Sequence, residues 1–223
     1  MTVEQSDDTL RAPETIVIAI DGPAGAGKST VGRALAARLE LEYLDTGAMY
    51  RAMTFAALRR GVVEGDFDEV AAMAPTVDID IDHDRVVVDG VDATVDIRGR
   101  EVTEAVSQIA ANPGVRAVLV ERQREWVGRH GGGVVEGRDI GSVVFPDANL
   151  KLYITASPRV RAERRVREIG GNVDEVEASI IERDRRDSSR DHSPLTEADD
   201  AVVVDTTGLS IDGVIEHILR LLP

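Results

Sequence analysis

A glycine-rich run near the start of the chain has the spacing of a phosphate-binding loop. Residues 22–29 match the pattern Gly-x-x-x-x-Gly-Lys-Ser/Thr, and they follow an apolar, β-rich stretch and precede a helical pattern. In such a loop the backbone N–H groups turn toward phosphate oxygens, and the positive end of the following helix adds to the attraction. The expected phosphate-binding residues are Gly22, Pro23, Ala24, Gly25, Ala26, Gly27, Lys28 and Ser29.

Two side chains of this loop could take part in phosphoryl transfer. Lys28 places a mobile positive charge near the β- and γ-phosphates of a nucleoside triphosphate, and the Ser29 hydroxyl can ligate Mg²⁺. The alternative is a glycine-rich turn without a ligand, and the complete motif in its strand and helix context argues against it. The loop therefore predicts binding of a nucleotide, with Mg²⁺ as cofactor.

The loop motif alone does not identify the reaction. A GTP-reading element needs a lysine in an Asn/Thr-Lys-x-Asp pattern, whereas Lys151, the only other lysine, lies in Asn-Leu-Lys-Leu. Residues 201–205 imitate the metal-holding strand of motor and transport ATPases, but we interpret them as a core strand that ends in a turn. A GTPase and a motor or transport ATPase are both disfavoured.

A second segment could hold the group that accepts the phosphoryl. Residues 45–51 read Asp-Thr-Gly-Ala-Met-Tyr-Arg and follow a short strand pattern at residues 42–44. A glycine turn followed by Tyr50 and Arg51 suits an acceptor that must lie in line with the γ-phosphate. The alternative is an ordinary helix start, capped by Asp45 or Thr46. The residues alone leave both interpretations open.

The composition excludes several kinds of chemistry. The 223 residues include 26 basic and 41 acidic side chains, and the net charge of −15 disfavours binding to bulk nucleic acid or to an anionic membrane. Cysteine is absent, so disulfides, iron–sulfur clusters and thiol catalysis are excluded. Lys28 and Lys151 are the only lysines, and the other 24 basic residues are arginines. Guanidinium groups bind phosphate through paired hydrogen bonds, so a subset of them could line a phosphate site.

The apolar patterns predict an α/β fold with a mostly parallel sheet. Short apolar stretches separated by helical patterns are typical of buried parallel strands, and they occur at residues 16–20, 133–136, 150–155 and 201–205. A helix is expected from Lys28 to about Leu41. Residues 77–95 alternate and contain turn residues, which predicts a small antiparallel sheet in an inserted subdomain.

Several blocks, in order along the chain, resemble the bacterial cytidylate kinases, which pass the γ-phosphoryl group of ATP to CMP or dCMP. The blocks are residues 21–29, 45–51, 97–98 with 101–102, 107–108 with 115–116, 136–141, 144–147, 182–184 and Arg190. The resemblance implies a P-loop three-layer core at residues 15–62, 112–156 and 174–223. It also implies a monophosphate-binding insert at about 63–111 and a short arginine-rich lid at about 157–173.

The same resemblance implies roles for individual residues. The base-reading set is Ser107, Arg116 and Asp139, and the residues near the ribose are Arg183 and Asp187. The acceptor-phosphate set is Arg51, Arg138 and Arg190, with Thr46 and Tyr50 as further substrate-binding residues. The catalytic residues would be Lys28, Arg138 and Arg183. Because family members vary at Ser29, the Thr30 hydroxyl is the next candidate for the P-loop and its Mg²⁺.

Chemistry agrees with a monophosphate acceptor. The second phosphate pKa is about 6, so the attacking oxygen is already ionised and needs no general base. Two alternatives stay open. One is a P-loop kinase for another nucleotide or metabolite, such as adenylate or shikimate, and the other is a non-catalytic nucleotide-binding protein whose arginines bind RNA.

The remaining expectations concern motion and location. Dense like charges in residues 157–173 predict a lid that repels itself when empty and orders when phosphates arrive. Residues 1–14 are expected to be a disordered tail without signal-peptide features, and no apolar run reaches the roughly 18–20 residues of a membrane span. We therefore expect a cytoplasmic monomer that binds CMP, dCMP and ATP and neither nucleic acid nor membrane.

Overall fold

The computed structural model describes residues 15–62, 66–82, 85–189 and 195–222. The strands of this part of the chain are β1 (Ile16–Asp21), β2 (Tyr43–Asp45), β3 (Ile79–Asp82), β4 (Arg85–Val88), β5 (Val91–Asp92), β6 (Gly132–Glu136), β7 (Leu150–Thr155) and β8 (Val202–Asp205). The α-helices are α1 (Lys28–Leu39), α2 (Thr46–Arg59), α3 (Phe67–Met73), α4 (Arg100–Ile109), α5 (Pro113–His130), α6 (Pro158–Ile169), α7 (Val173–Ser188) and α8 (Ile211–Leu219). The tail predicted at residues 1–14 lies outside the described residues.

Five strands form one parallel sheet, in the order β2, β6, β1, β7, β8. Successive residues of the central strand β1 point to opposite faces of the sheet. Val17 and Ala19 belong to an apolar core with residues of α2 and α5, whereas Ile18 and Ile20 pack in a second core with residues of α1 and α8. Helices therefore cover both faces, and the predicted α/β class is confirmed.

The carboxyl ends of three adjacent strands place acidic residues at one edge of the sheet. Glu136 at the end of β6 pairs in register with Ile20 and with Asp45, so Asp21, Asp45 and Glu136 end their strands at nearly the same level. Ligands of open α/β sheets bind in the crevice outside these carboxyl ends. The fold therefore directs the search for a site to this edge.

The small sheet predicted within residues 77–95 is confirmed. Strands β3, β4 and β5 pair antiparallel, with Ile79 opposite Val88 and Val87 opposite Asp92. A two-residue turn joins β4 to β5, and both of its residues, Asp89 and Gly90, have positive φ. The buried side of this sheet, with Val86 and Val88, packs into the same core as α2.

Helices α6 and α7 pack against each other as a helical hairpin, joined by residues 170–172. Gly170 and Gly171 both have positive φ and allow the chain to reverse, and the Asn172 side chain caps α7 by accepting from the N–H groups of Asp174 and Glu175. Across the hairpin, Arg159 of α6 forms ion pairs with Asp174 and Glu177.

Three local expectations are corrected or refined by the structure. The link between β6 and β7 contains a single π-helical turn, Ile140–Val144, where an ordinary helical stretch was expected, and Asp21 accepts from the first two N–H groups of this turn. Helix α1 ends at Leu39, since Glu40 adopts a left-handed conformation. Residues 202–205 form an edge strand, and Asp205 accepts from Thr207 N at 2.8 Å in the expected turn. Over the described residues, no helix is long and apolar enough to cross a bilayer.

Candidate active site

A cleft opens at the carboxyl edge of the sheet. It brings together the following residues singled out from the sequence: Lys28, Thr46, Tyr50, Arg51, Ser107, Arg116, Arg138, Asp139, Arg183 and Asp187. They come from α1, α2, α4, α5, α7 and the loop after β6, so distant sequence blocks converge on one space. Arg190 lies outside the described residues, and Thr30 is exposed in the first turn of α1.

The loop between β1 and α1 has the backbone of a phosphate cradle. Gly25 and Gly27 have positive φ, and a Cβ on Gly22 would lie 2.0 Å from the carbonyl oxygen of Ile154, so the tight wrap depends on these glycines. Gly27 precedes α1 without any side-chain cap, which leaves the first N–H groups of the helix available to an anion.

Lys28 lies folded back over this loop. Its Nζ donates to the carbonyl oxygen of Pro23 at 2.9 Å, the kind of contact a bound phosphate could replace. Burial, followed by the nearby charge of Arg138, lowers the pKa of Lys28 to about 8. An incoming anion would favour the charged lysine.

Glu136 is a polar group of the cleft to which the sequence analysis gave no role. Its Oε1 accepts from the Ser29 hydroxyl at 2.8 Å, while its Oε2 is buried without a hydrogen-bond partner. Burial, and then the charge of Asp45, raises the pKa of Glu136 to about 7. An acidic residue at the end of the strand beside the P-loop strand was the available signal, but its pairing with Ser29 spans 107 residues.

Helix α2 supports both interpretations offered for residues 45–51. The Asp45 side chain caps the helix by accepting from Ala48 N at 3.0 Å, as an ordinary helix start would. The Thr46 hydroxyl donates to the backbone oxygen of Glu136 at 2.7 Å, and Arg51 donates to Ile97 O and Thr103 Oγ1. The segment therefore ties the strand edge to the inserted subdomain, with Tyr50 and Arg51 in the cleft.

Several positive charges act on Arg51, which lines the cleft. Burial, and then the neighbouring charge of Arg98, lowers the pKa of Arg51, and the charges of Arg165 and Arg138 act in the same direction. Mutual repulsion among these groups favours binding of an anion between them. Arg98 belongs to one of the sequence blocks and received no role from the sequence analysis.

Arg116 and Asp139 form a buried ion pair across the cleft, with side chains only 8% and 6% exposed. The Arg116 guanidinium also lies 5.7 Å from the centre of the Tyr50 ring. Asp139 directly precedes the turn whose Ile140 and Gly141 N–H groups donate to Asp21, both at 2.7 Å. The strand that leads into the P-loop therefore also fixes the loop that carries Asp139.

Arg138 connects the two halves of the cleft. One guanidinium nitrogen donates to the P-loop carbonyl of Gly22 at 2.6 Å, and another pairs with Asp187 of α7 at 3.1 Å. Arg183 lies near the same carboxylate, at 3.9 Å. A single side chain thus contacts the donor loop and the helix that carries two of the predicted ribose residues.

The arginines of α6 are already partnered, which corrects the expectation of unopposed repulsion within the lid. Arg161 donates to Ala24 O and Ala156 O and pairs with Asp184, while Arg164 donates to Ala26 O and Thr206. Arg165 pairs with Glu168, and Arg159 pairs with carboxylates of α7. On α7, Arg185 and Arg186 pair with Glu182 at the surface and do not line the cleft.

Comparison with known proteins places this cleft in a family. The family model described as cytidylate kinase matches residues 18–223. The cytidylate kinase of Mycobacterium leprae (strain Br4923) is 47% identical over 211 residues, which are 92% of this chain and 95% of the relative. The cytidylate kinase of Corynebacterium efficiens is 46% identical over 215 residues, covering 92% and 94% of the two chains.

Longer relatives and a solved structure complete the comparison. A bifunctional pantoate ligase/cytidylate kinase of Synechococcus sp. (strain JA-2-3B'a(2-13)) is 48% identical over 228 residues, and the chain spans 42% of its length. A gluconokinase from Sinorhizobium meliloti 1021 shares the fold, with a TM-score of 0.50 at 15% identity over 93% of this chain and 94% of that one. From the match over residues 18–223 and the identities above, the chain belongs to the cytidylate kinase family.

Proposed function

We propose that the chain transfers the γ-phosphoryl group of ATP to CMP or dCMP, giving ADP and CDP or dCDP. The observation that carries this proposal is the convergence on one cleft of the P-loop Lys28 with the base-reading candidates Arg116 and Asp139. Membership of the cytidylate kinase family supports the same reaction. The phosphoryl donor and its acceptor can therefore bind next to each other in one cleft, which is lined by residues for each of them.

Base selection follows from the chemistry of the buried pair. Cytosine presents a 4-amino group, which donates a hydrogen bond, where uracil presents a carbonyl oxygen. The Asp139 carboxylate accepts from an amino group and repels a carbonyl oxygen, and Arg116 donates to the acceptor atoms of the ring. Ser107, which lines the same cleft, supplies a further hydroxyl.

The phosphates are bound by cations. Arg51, Arg138 and Arg190 hold the acceptor phosphate, and Lys28 and Arg183 join Arg138 in neutralising the transferring group. Thr46 and Tyr50 contact the acceptor, and the Asp187 carboxylate, beside Arg183, accepts from the 2′-hydroxyl of its ribose. No base is needed, because the acceptor phosphate is already ionised near neutral pH.

The P-loop residues also fit a magnesium ion. Mg²⁺ prefers oxygen ligands and is usually held by one or two protein oxygens plus substrate phosphates and waters. The Ser29 hydroxyl is an oxygen of this kind, and the buried Glu136 carboxylate that accepts its hydrogen bond adds negative charge beside it. The Thr30 hydroxyl is the next candidate. The metal would supply charge neutralisation of the β- and γ-phosphates.

An insert and a lid complete the proposal. The insert at about residues 63–111 binds the monophosphate and the lid at about residues 157–173 closes over ATP, both on the core formed by residues 15–62, 112–156 and 174–223. Closure excludes water, which would otherwise hydrolyse ATP. Monomeric state, cytoplasmic location and the absence of nucleic-acid and membrane binding stay predictions.

A coupled assay of ADP release tests the function across an acceptor panel. With ATP and Mg²⁺, we expect rapid turnover of CMP and dCMP, slower turnover of UMP, and little release with AMP, GMP, shikimate or gluconate. Release without any acceptor should be low, which controls for ATP hydrolysis. Turnover confined to a purine monophosphate or a sugar acid would contradict the proposal, and so would nucleotide binding without any transfer.

A further inference from the structure

Two buried oxygens near Ser29 lack hydrogen-bond partners: the hydroxyl of Tyr43 and Oε2 of Glu136. Burial, and then the negative charge of the Glu136 carboxylate, raises the pKa of the Tyr43 hydroxyl, so the two groups interact electrostatically. One group is a hydrogen-bond donor and the other is an acceptor, and leaving both unsatisfied would cost free energy. Their proximity suggests a hydrogen bond that a small movement would form.

The strand pairing fixes this proximity. Tyr43 on β2 lies directly opposite Val134 on β6, so Glu136, two residues further along β6, is on the same face of the sheet. Diagonal neighbours of this kind are within reach of a long aromatic side chain. Tyr43 therefore extends along the sheet toward the end of β6, where the carboxylate meets Ser29.

Helix α1 holds the ring from the other side. A Cβ on Gly32 would lie 2.8 Å from Cε2 of Tyr43, so the ring packs directly against the helix backbone. The guanidinium carbon of Arg33 lies 5.0 Å from the ring centre. Gly32 lies one helical turn after Ser29, so the ring also sets the spacing between α1 and the sheet beneath the P-loop.

We propose that Tyr43 is a positioning residue for the P-loop, acting through the Glu136 carboxylate on the Ser29 hydroxyl. The Tyr43 hydroxyl donates a hydrogen bond to Oε2 of Glu136 and so fixes the orientation of the carboxylate. Oε1 then accepts the hydrogen bond of the Ser29 hydroxyl, and the lone pairs of the Ser29 oxygen stay available to a cation. This inference rests on the donor half of the proposed function, binding of an adenine nucleotide with Mg²⁺ at the P-loop. It is independent of the acceptor.

The test removes only the hydroxyl, in Tyr43→Phe. We expect the Mg²⁺ concentration for half-maximal rate and the KM for ATP to rise by about tenfold, as for other supports of a metal ligand. The KM for CMP should change by less than about twofold, because Tyr43 does not line the cleft that holds the acceptor residues. Calorimetric affinity for ADP should weaken in the presence of Mg²⁺ and stay unchanged without it. Tyr153→Phe, the same deletion on β7, is the matched control and should resemble the wild type.

A double-mutant cycle with Ser29→Ala separates positioning from simple packing. If Tyr43 acts through Ser29, Tyr43→Phe should add less than about twofold to the Mg²⁺ requirement once Ser29 is alanine. Gly32→Ala, which pushes the ring while keeping its hydroxyl, should reproduce the Mg²⁺ effect. Full additivity with Ser29→Ala, or wild-type Mg²⁺ dependence in Tyr43→Phe, would overturn the proposal. If the wild type phosphorylates no CMP, the proposed function fails, and the ADP binding arm still decides the role of Tyr43.

Discussion

Arginine and lysine perform different tasks at the residue scale. Arg138 reaches Gly22 O and Asp187 at the same time, because its planar guanidinium carries donors that point in several directions. Lys28 makes a single contact, to Pro23 O, and its ammonium group on a flexible stem can swing onto a phosphate. The cleft therefore combines arginines, which are held in place by several hydrogen bonds, with one lysine whose positive charge can move toward a phosphate.

Replacing Lys28 by alanine should abolish most phosphoryl transfer and leave the fold intact. In the folded loop the Lys28 side chain donates to Pro23 O, whereas its main contribution is a positive charge that stabilises the phosphoryl group during transfer. We therefore expect kcat to fall by at least about a hundredfold. Steady-state kinetics with ATP and CMP, together with thermal unfolding, measure both effects. Lys151→Met, which removes the only other lysine, is the control. Near wild-type kcat in Lys28→Ala would contradict the P-loop assignment.

Arg116 and Asp139 should depend on each other for both stability and selectivity. Either substitution breaks a buried ion pair, so Arg116→Ala and Asp139→Ala should each lower the free energy of unfolding by about 3 kcal/mol. The double variant should cost much less than the sum, since no lone charge remains. Urea unfolding of the three variants measures this coupling.

The same variants test base reading. Asp139→Ala should lower the ratio of CMP to UMP turnover by about tenfold or more, because the discriminating carboxylate is gone. Affinity for ATP should change far less. If the two single variants lose stability additively in the double variant, Arg116 and Asp139 do not interact. An unchanged ratio of CMP to UMP turnover would show that Asp139 has a structural role only.

At the scale of elements, the end of β1 controls two loops at once. Asp21 directly precedes Gly22 of the P-loop, and its carboxylate accepts the N–H groups of Ile140 and Gly141 in the turn after Asp139. A Cβ on Gly141 would lie 3.1 Å from the Lys151 side chain, so this turn fits closely against β7 as well. The P-loop and the loop that carries Asp139 therefore share one anchor.

The Asp21 anchor should make stability depend on pH. Burial, the largest cause, raises the pKa of Asp21 from 3.8 to about 6, with the charge of Asp139 acting in the same direction and that of Lys28 opposing it. The folded state thus binds a proton more tightly than the unfolded state, and this contribution is lost as the pH rises through 6. Between pH 5 and 7 the loss should be about 1 kcal/mol.

Urea unfolding at pH 5, 6 and 7 of the wild type and of Asp21→Asn isolates this group. The variant should be less stable at every pH, because its amide replaces one of the two acceptor oxygens with a donor. It should also lose less stability between pH 5 and 7 than the wild type does. Parallel curves for the two proteins would show that Asp21 is ionised throughout this range.

At the scale of the whole molecule, local patterns were readable from the sequence and long-range pairings were not. The P-loop, the strands and the small sheet depend on neighbouring residues, and all of them lie at the predicted positions, although β8 is an edge strand. The pairing of Ser29 with Glu136, and the bonds from the π-helical turn to Asp21, span more than a hundred residues. The expectation of repulsion among the lid arginines was wrong for the same reason, because their acidic partners lie on α7 and their carbonyl partners lie in the P-loop.

These anchors change how the lid should move. Arg161 and Arg164 attach the first part of α6 to the P-loop carbonyls of Ala24 and Ala26, whereas Ile169 near its far end is 62% exposed. Arg183 and Asp187 lie on α7, which packs along α6, so acceptor binding also bears on the hairpin. We therefore expect closure to be graded along α6, with its far end and the following glycine turn changing most.

Hydrogen exchange tests this expectation on the free protein and on its complex with CMP and a non-hydrolysable ATP analogue. Residues 165–172 should exchange rapidly without ligand and become protected in the complex, because opening free energies are lowest where few buried contacts hold the backbone. Residues 158–164 should show partial protection already, owing to the anchors of Arg161 and Arg164. Residues 211–219, on α8, serve as the internal control and should not change. Equal protection of residues 157–173 in both states would refute a closing lid, and a uniform change along α6 would refute the anchoring of its first half.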